Sequence, residues 1–456
     1  MIHVVIVALG LAAQPTLDLP PDEAGDEEVG VSPQETEGPL LQLPAGIGLG
    51  SGAVGEDDLM KGLQDARLHG VSNTVIGGYA QLNANLLSVG PGDDGTGFAA
   101  PTATADVRRL VIFVAHTFSP WARFYTELEW EHAIACRTCS GASEIEQAFV
   151  EVDVVKVGVS SEETTAMTVR AGLILIPMGI INQWHEPPIF HGVDRPRSEE
   201  LVIPSTWREL GAGIVGSPLA GFNYELYLTT GLDPLGFDAT GIGGGRQNGS
   251  FVDASSWMVS GRAEVEPFLG FLAGVSGVAG DTGGGVFGAT RFIDKNGDPR
   301  PLTLPLYGIA GDARVRRNGL EARTVVVGFF FPYASDLMTA SLADGTPAFL
   351  PSSSGKGAIP TRITAAQLEV AYDVLRFLPV ETEQQLLPFV RVDFTDTQAE
   401  VPDGFTADPS QKVKELTLGL SYRPLQQVVV KADAQLRNRA LGLDEGQLNL
   451  GLGLMF

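Results

Sequence analysis

From residue 71 to residue 456 the chain keeps one pattern, apolar side chains at every second position, and the last ten residues show it most plainly. Leu448, Leu450, Leu452 and Leu454 alternate with Gln447, Asn449, Gly451 and Gly453 before Phe456. A period of two is the signature of a strand with one greasy face. A lone strand of this kind fits a soluble core as well as a bilayer, which a tilted strand crosses in roughly 9–11 residues. Only the arrangement of all the strands separates the two.

Sixteen stretches carry the alternation: 71–88, 105–118, 121–133, 144–157, 164–178, 206–217, 220–232, 254–266, 268–280, 304–316, 319–333, 362–378, 384–398, 413–423, 427–438 and 446–456. Their connections alternate in length. Tight turns are expected at Ser119-Pro120, Pro218-Leu219, Pro267 and Arg317-Asn318, and long loops at 91–104, 179–205, 233–253, 281–303, 334–361 and 399–412. Short turns on one end and long loops on the other mark a transmembrane antiparallel β-barrel of about 16 strands, its short turns periplasmic and its loops extracellular. The fold class expected is therefore all-β, with the barrel over residues 71–456.

Facing supports this. In 413–423, Leu416, Leu418, Leu420 and Tyr422 oppose Glu415, Thr417 and Ser421; in 427–438, Val430, Ala432, Ala434 and Leu436 oppose Lys431, Asp433, Gln435 and Arg437. An Arg or Lys at mid-depth on a lipid face costs about 2–4 kcal/mol, so the charged faces belong inside. Sixteen strands leave a lumen wide enough for water. The expected pore-lining set is Arg109, Arg123, Glu127, Glu129, Arg262, Asp312, Arg314, Arg391, Asp393, Lys431 and Asp433. Opposed rings of charge of this kind orient and select solutes. Stretches such as 173–177 and 325–331 are apolar on both faces, which implies a subunit interface or a loop folded against the inner wall.

The long loop at 179–205 is the most distinctive. It combines aromatics and prolines with both charge signs, in Trp184, His185, Glu186, His191, Asp194, Arg195 and Arg197, and is too apolar to float in water. It is expected to enter the lumen as a constriction. Neither histidine has a nucleophile or a carboxylate cluster at ligand spacing beside it, so no enzyme chemistry, metal or cofactor is expected.

Composition bounds the rest. With 55 acidic against 30 basic residues the formal net charge is −25, which argues against nucleic acid as a partner. Residues 1–13 contain a short apolar run read as a signal peptide, although no basic residue precedes it and a non-exported chain is the alternative. Residues 14–70 are acidic and rich in Gly and Pro, an expected periplasmic segment without a core of its own. Cys136 and Cys139 form a Cys-x-x-Cys pair that fits a small disulfide loop outside the cytoplasm or a redox pair within it.

Several short blocks carry a family resemblance: Arg108-Arg109-Leu110, Tyr125-Thr126-Glu127-Leu128-Glu129, Arg170-Ala171-Gly172 through Pro177-Met178-Gly179, and Thr206-Trp207-Arg208-Glu209. Others are Pro388 to Asp393, Asp396-Thr397-Gln398, Lys431-Ala432-Asp433 and the final Phe456. Over residues 77–456 the chain resembles the phosphate-selective porin O and P family. That resemblance implies a homotrimeric porin of a Gram-negative outer membrane, in contact with its lipid, with Phe456 as the signal read by the barrel assembly machinery. The chain departs from the phosphate-selective members in having few lysines and an excess of acid, so their phosphate-binding residues are not carried over. Passive diffusion of small hydrophilic or anionic solutes is the function expected. The alternative is a barrel plugged by the Trp184 loop and by Thr206-Trp207-Arg208, serving a structural or adhesive role.

Overall fold

The computed structural model describes residues 73–89, 102–134, 141–157, 164–282, 292–293, 299–300, 304–339, 341–342, 357–379, 382–439 and 444–456. Sixteen strands run through them: β1 Thr74–Val89, β2 Thr102–Ser119, β3 Ala122–Glu131, β4 Ala142–Val157, β5 Thr164–Leu175, β6 Arg208–Leu219, β7 Phe222–Thr230 and β8 Trp257–Phe268. The second half comprises β9 Phe271–Thr282, β10 Leu304–Arg317, β11 Leu320–Phe330, β12 Arg362–Tyr372, β13 Gln385–Glu400, β14 Lys412–Leu425, β15 Val428–Arg439 and β16 Asp444–Met455. Each strand pairs antiparallel with its chain neighbours, and β16 returns to β1 with Leu452 opposite Leu82, so the barrel is closed and has no free edge. Outside it, Phe292–Ile293 pairs with Pro299–Arg300 and Ser341–Leu342. No helix among the described residues is long and apolar enough to cross a membrane.

The expected rhythm of connections is present, with the tight turns displaced by one to three residues. Two-residue turns join β2 to β3, β6 to β7, β8 to β9, β10 to β11 and β14 to β15. The β10–β11 turn is Asn318-Gly319, both at positive φ, one residue later than the sequence implies. An Asn-Gly pair suits this position because both central residues of such a hairpin turn are left-handed. Strand 164–178 stops at Leu175 and strand 362–378 at Tyr372, where Asp373 caps a 3₁₀ turn over Val374–Phe377. The segments 1–13 and 14–70 and the pair Cys136 and Cys139 lie outside the described residues.

The two faces of the sheet differ as the alternation demands. On the outside stand Ile309, Val326, Val392, Leu418, Leu436 and Leu450, all well exposed, while Asp312, Arg391, Asp393, Thr417, Lys431 and Asn449 are buried inside. A continuous exposed apolar band of this extent is untenable in water and is satisfied by acyl chains. Aromatics cluster at both rims, Phe118, Trp121, Phe268 and Phe377 by the short turns and Trp257, Tyr307 and Phe330 by the loops, as in the girdles that flank a bilayer-spanning band.

The main apolar cluster lies within the barrel. Residues 176–207 between β5 and β6 contribute Ile176, Met178, Ile180, Ile181, Phe190, Val202, Ile203 and Trp207, packed on inward side chains of β8 to β12 such as Val278, Leu306, Val325, Val327 and Phe329. The walls that read as apolar on both faces are thus greasy inside because a loop rests on them. The segments after β7 and β11 add Phe237, Ile242, Leu337 and Ile359 to the same cluster.

Candidate functional site

The segment 176–207 is the candidate site, and local chemistry sets its shape. Asn182 clamps its base: Nδ2 donates to the carbonyls of Ile176 at 2.7 Å and Trp207 at 3.1 Å, and Oδ1 accepts from Trp207 N at 2.7 Å. Gly179 turns at φ +70°, and a Cβ there would lie 2.7 Å from Glu199 Oε1. That oxygen accepts from the backbone N–H of Ile180 at 2.5 Å and Ile181 at 2.8 Å. Burial pushes the Glu199 carboxyl up to about 7, although the two backbone donors pull the other way.

From this base the loop crosses the lumen and is tied to the wall nearly all the way round. Arg262 of β8 donates to Gly179 O at 3.1 Å, Gln183 to Glu225 of β7 at 2.6 Å, and Arg323 of β11 to Ile189 O at 3.0 Å. Arg423 of β14 reaches Pro188 O, Lys431 of β15 reaches Gly192 O at 2.8 Å, and Arg391 of β13 reaches Asp194 O at 3.0 Å. Val193 N donates to Asp433 at 2.6 Å, and Gln81 of β1 donates to Val193 O at 3.1 Å. Small residues on β16 make room: a Cβ on Gly453 would stand 2.3 Å from Pro187, and one on Gly451 3.2 Å from Val193.

All eleven charges expected to line a pore face inward, but most hold the loop or one another. Arg109 pairs with Glu129 at 3.1 Å, and Arg123 with Glu151 and Asp153. Arg262 spans β9 to Asp312 at 2.6 Å, passing over Gly274, whose absent Cβ would collide with the guanidinium. Arg314 stacks on Trp184, 4.1 Å from its centroid. Arg391, fully buried, sits between Asp393 at 2.9 Å, Glu415 at 3.3 Å and Glu369 at 3.7 Å. Lys431 also lies 3.6 Å over the Phe190 ring, and Asp433 accepts from Asn449. Glu127 accepts from Gln147 at 2.8 Å.

The loop's own polar residues divide by surroundings. His185 lies between Glu127 and Glu146 of the β3–β4 wall; burial lowers its affinity for a proton, but the two carboxylates outweigh this and raise it to about 10. Glu186 next to it is pushed up to about 7 by burial. His191 stacks on Phe389 and approaches Glu321 at 3.1 Å, and burial holds its imidazole below the ordinary value. Asp194 accepts from Gln435, and Arg195 donates to His185 O. Burial and the nearby Arg437 lower Arg197.

Between the loop and the β2–β4 wall is a recess of about 240 Å³ that includes Arg109, Glu129, Arg195, Glu200, Arg208 and Arg246. Arg208 pairs with Glu144 and Arg109 with Glu129, whereas Arg195 and Arg246 donate to backbone carbonyls of His185, Gly243 and Ser205. Five arginines and four glutamates line the recess in all, and among the described residues Arg195, Arg246 and Glu131 form no ion pair, which leaves an excess of one positive charge.

Comparison with solved structures places this geometry. OprB of Pseudomonas putida matches with TM-score 0.51 at 11% identity, over 87% of this chain and 97% of that one. OmpF of Salmonella typhi, in complex with daunomycin, matches with TM-score 0.50 at 12% identity, over 84% and 97%. The fold is that of a sixteen-stranded porin barrel. No family model matches the sequence. An uncharacterised protein of Aquifex aeolicus (strain VF5) is 29% identical over 364 residues, 78% of this chain and 74% of that protein.

Several residues of the site escape a reading by alternation. Asn182 acts through bonds across the base of the loop, and Glu199 and Arg423 through bonds between loop and wall, none of which spacing reveals. Glu146 falls on the outward parity of its strand, where a carboxylate would meet lipid, and that expense was the available signal that the strand departs from regular alternation.

Proposed function

We propose that the chain is an outer-membrane porin whose barrel admits small hydrophilic solutes by passive diffusion, with residues 176–207 as the constriction. The observation that carries this reading is the loop itself: inside a closed barrel, one segment packs on the apolar inner face of β8 to β12 and is hydrogen-bonded to charged residues of the remaining wall, as a constricting loop would be. The porin fold supports a channel, the apolar outer band supports a bacterial outer membrane, and no catalytic role is assigned. Anions are the favoured solutes, because the recess beside the loop is lined by five arginines against four glutamates, with Arg195 and Arg246 outside any described ion pair. A homotrimer recognised through Phe456 by the assembly machinery completes the reading.

Reconstitution of the full chain in planar bilayers is the direct test. Stepwise conductance with a reversal potential that favours anions in a salt gradient supports the proposal; a folded barrel that passes no current defeats it. A second reading, a plugged structural or adhesive barrel, is favoured by one fact: the loop is hydrogen-bonded to opposite walls at once, to Glu225 of β7 and to Lys431 of β15. Liposome swelling with small sugars separates the two, since only a channel admits them.

A further inference from the structure

One buried trio is left over from the network that seats the loop. His185 Nε2 lies 3.7 Å from Glu127 Oε1 and 3.5 Å from Glu146 Oε2, and the three candidate donor atoms all fall within 4.8 Å of one another. Neither oxygen of Glu146 and neither ring nitrogen of His185 makes a hydrogen bond, the Nε2 contacts being ion pairs at 3.5 and 3.7 Å, although the two residues are 0% and 3% exposed. Buried polar atoms are normally satisfied, so four open positions on two facing side chains require an explanation. Two ligands at 2.0–2.2 Å from one tetrahedral ion stand about 3.4 Å apart, close to the separations here and longer than a good hydrogen bond.

The backbone builds this arrangement on purpose-made irregularity. Gln147 pairs with Glu127 and Ile145 with Leu128, so Glu146 is the extra residue of a β-bulge, and Glu146 and Gln147 both point inward. Bulges re-aim side chains in this way near functional sites. Gln147 Nε2 holds the far oxygen of Glu127 at 2.8 Å, leaving Oε1 directed at His185, and a donor on the free oxygen of a metal-binding carboxylate fixes its orientation in the same way. Tyr79, fully buried, sets its ring edge-on to His185 at 6.1 Å between centroids, and its hydroxyl has no hydrogen-bond partner. Among the described residues no Arg or Lys forms an ion pair with Glu127 or Glu146, since Arg109 is engaged by Glu129. A dication would take the place of the proton that the two carboxylates hold on His185, and two carboxylates with the imidazole so freed balance its charge.

We propose that Glu127, Glu146 and His185 form a binding site for a divalent transition-metal ion, which fastens the tip of the lumen loop to the β3–β4 wall. One nitrogen and two oxygen donors without sulfur suit Zn²⁺, Fe²⁺ or Mn²⁺, and Zn²⁺ is the probe of choice. The site is independent of whether the barrel conducts.

The test uses the full chain in detergent with Cys136→Ser and Cys139→Ser, so that thiols do not compete for zinc. After dialysis against Zn²⁺ and then metal-free buffer, elemental analysis should find one zinc per chain, and Co²⁺ in its place should give a visible ligand-field band. His185→Asn and Glu146→Gln should each abolish both signals, and Gln147→Leu should weaken zinc binding about 10–100-fold. No retained zinc, or retention that His185→Asn leaves unchanged, overturns the proposal and leaves the trio as an imidazolium flanked by carboxylates. Should Glu146→Gln fail to fold, His185→Asn still decides, because it alters the loop and not the sheet.

Discussion

Gly453 shows how one residue can set the path of the loop. It faces inward on β16 where Pro187 rests, and a Cβ there would meet Pro187 at 2.3 Å and Val429 at 3.0 Å. Gly453→Val is expected to cost about 1–3 kcal/mol through overpacking, measured by thermal unfolding in detergent. Gly446→Val on the same strand should be nearly neutral, since nothing lies within 4 Å of its Cβ position. Equal losses from the two would show that Pro187 does not rest on the wall there. Glu199 gives the residue scale a pH dependence. Buried against Gln367 and within the fields of Arg323 and Asp312, its carboxyl titrates at about 7 rather than 4.5. A folded value above the unfolded one means that the seated loop favours the protonated acid. That contribution is complete below pH 4.5 and is lost as pH rises through about 7. The loop should therefore hold most firmly in acid and conductance should rise across neutrality. Glu199→Gln should flatten that rise; a profile that persists unchanged in the variant would assign it to another group.

The strands were legible because their physics is local. A bilayer on one side and polar contacts on the other impose a period of two, and turn residues such as Asn318-Gly319 mark where each hairpin reverses. That the loop at 179–205 belongs in the lumen was legible too, since Trp184, Phe190 and the prolines around them would be poorly placed in water, but its extension to 176–207 was not. What each charge touches was not. Lys431 and Gly192 lie 239 positions apart, and their meeting depends on the shear of the whole barrel rather than on any neighbouring residue. Glu146 was hidden for a different reason, a bulge that resets parity within β4. At this scale the loop is the element to remove. Replacing residues 184–194 by a short Gly/Ser link deletes its contacts with β11, β14 and β15 but keeps the Asn182 and Glu199 clamps at the base. Conductance per channel should increase several-fold if the loop constricts the lumen, and should appear from nothing if it plugs it. An unaltered conductance would mean that solute passes elsewhere.

Closure of the whole molecule comes down to the seam between β16 and β1, and Phe456 stands at its end. Its N–H donates to Gly78 O and its carbonyl accepts from Gly78 N, both at 2.9 Å, while the residue as a whole is 63% exposed near the short-turn rim. The residue thus has two separable roles, a backbone that continues the seam and a ring available for recognition or for the bilayer interface. Deleting Phe456 removes both. Phe456→Ala removes only the ring. Two backbone bonds at about 0.5–1.5 kcal/mol each put the seam contribution at roughly 1–3 kcal/mol. Refolding from urea into detergent, followed by the heat-dependent shift in gel mobility of a closed barrel, should show the deletion less stable and Phe456→Ala close to the parent chain. In cells the ordering should change. If the aromatic ring is what the assembly machinery reads, Phe456→Ala should lower the amount of barrel in the outer membrane as much as the deletion does. Normal cellular levels of Phe456→Ala beside a destabilised deletion would confine this residue to its part in the seam.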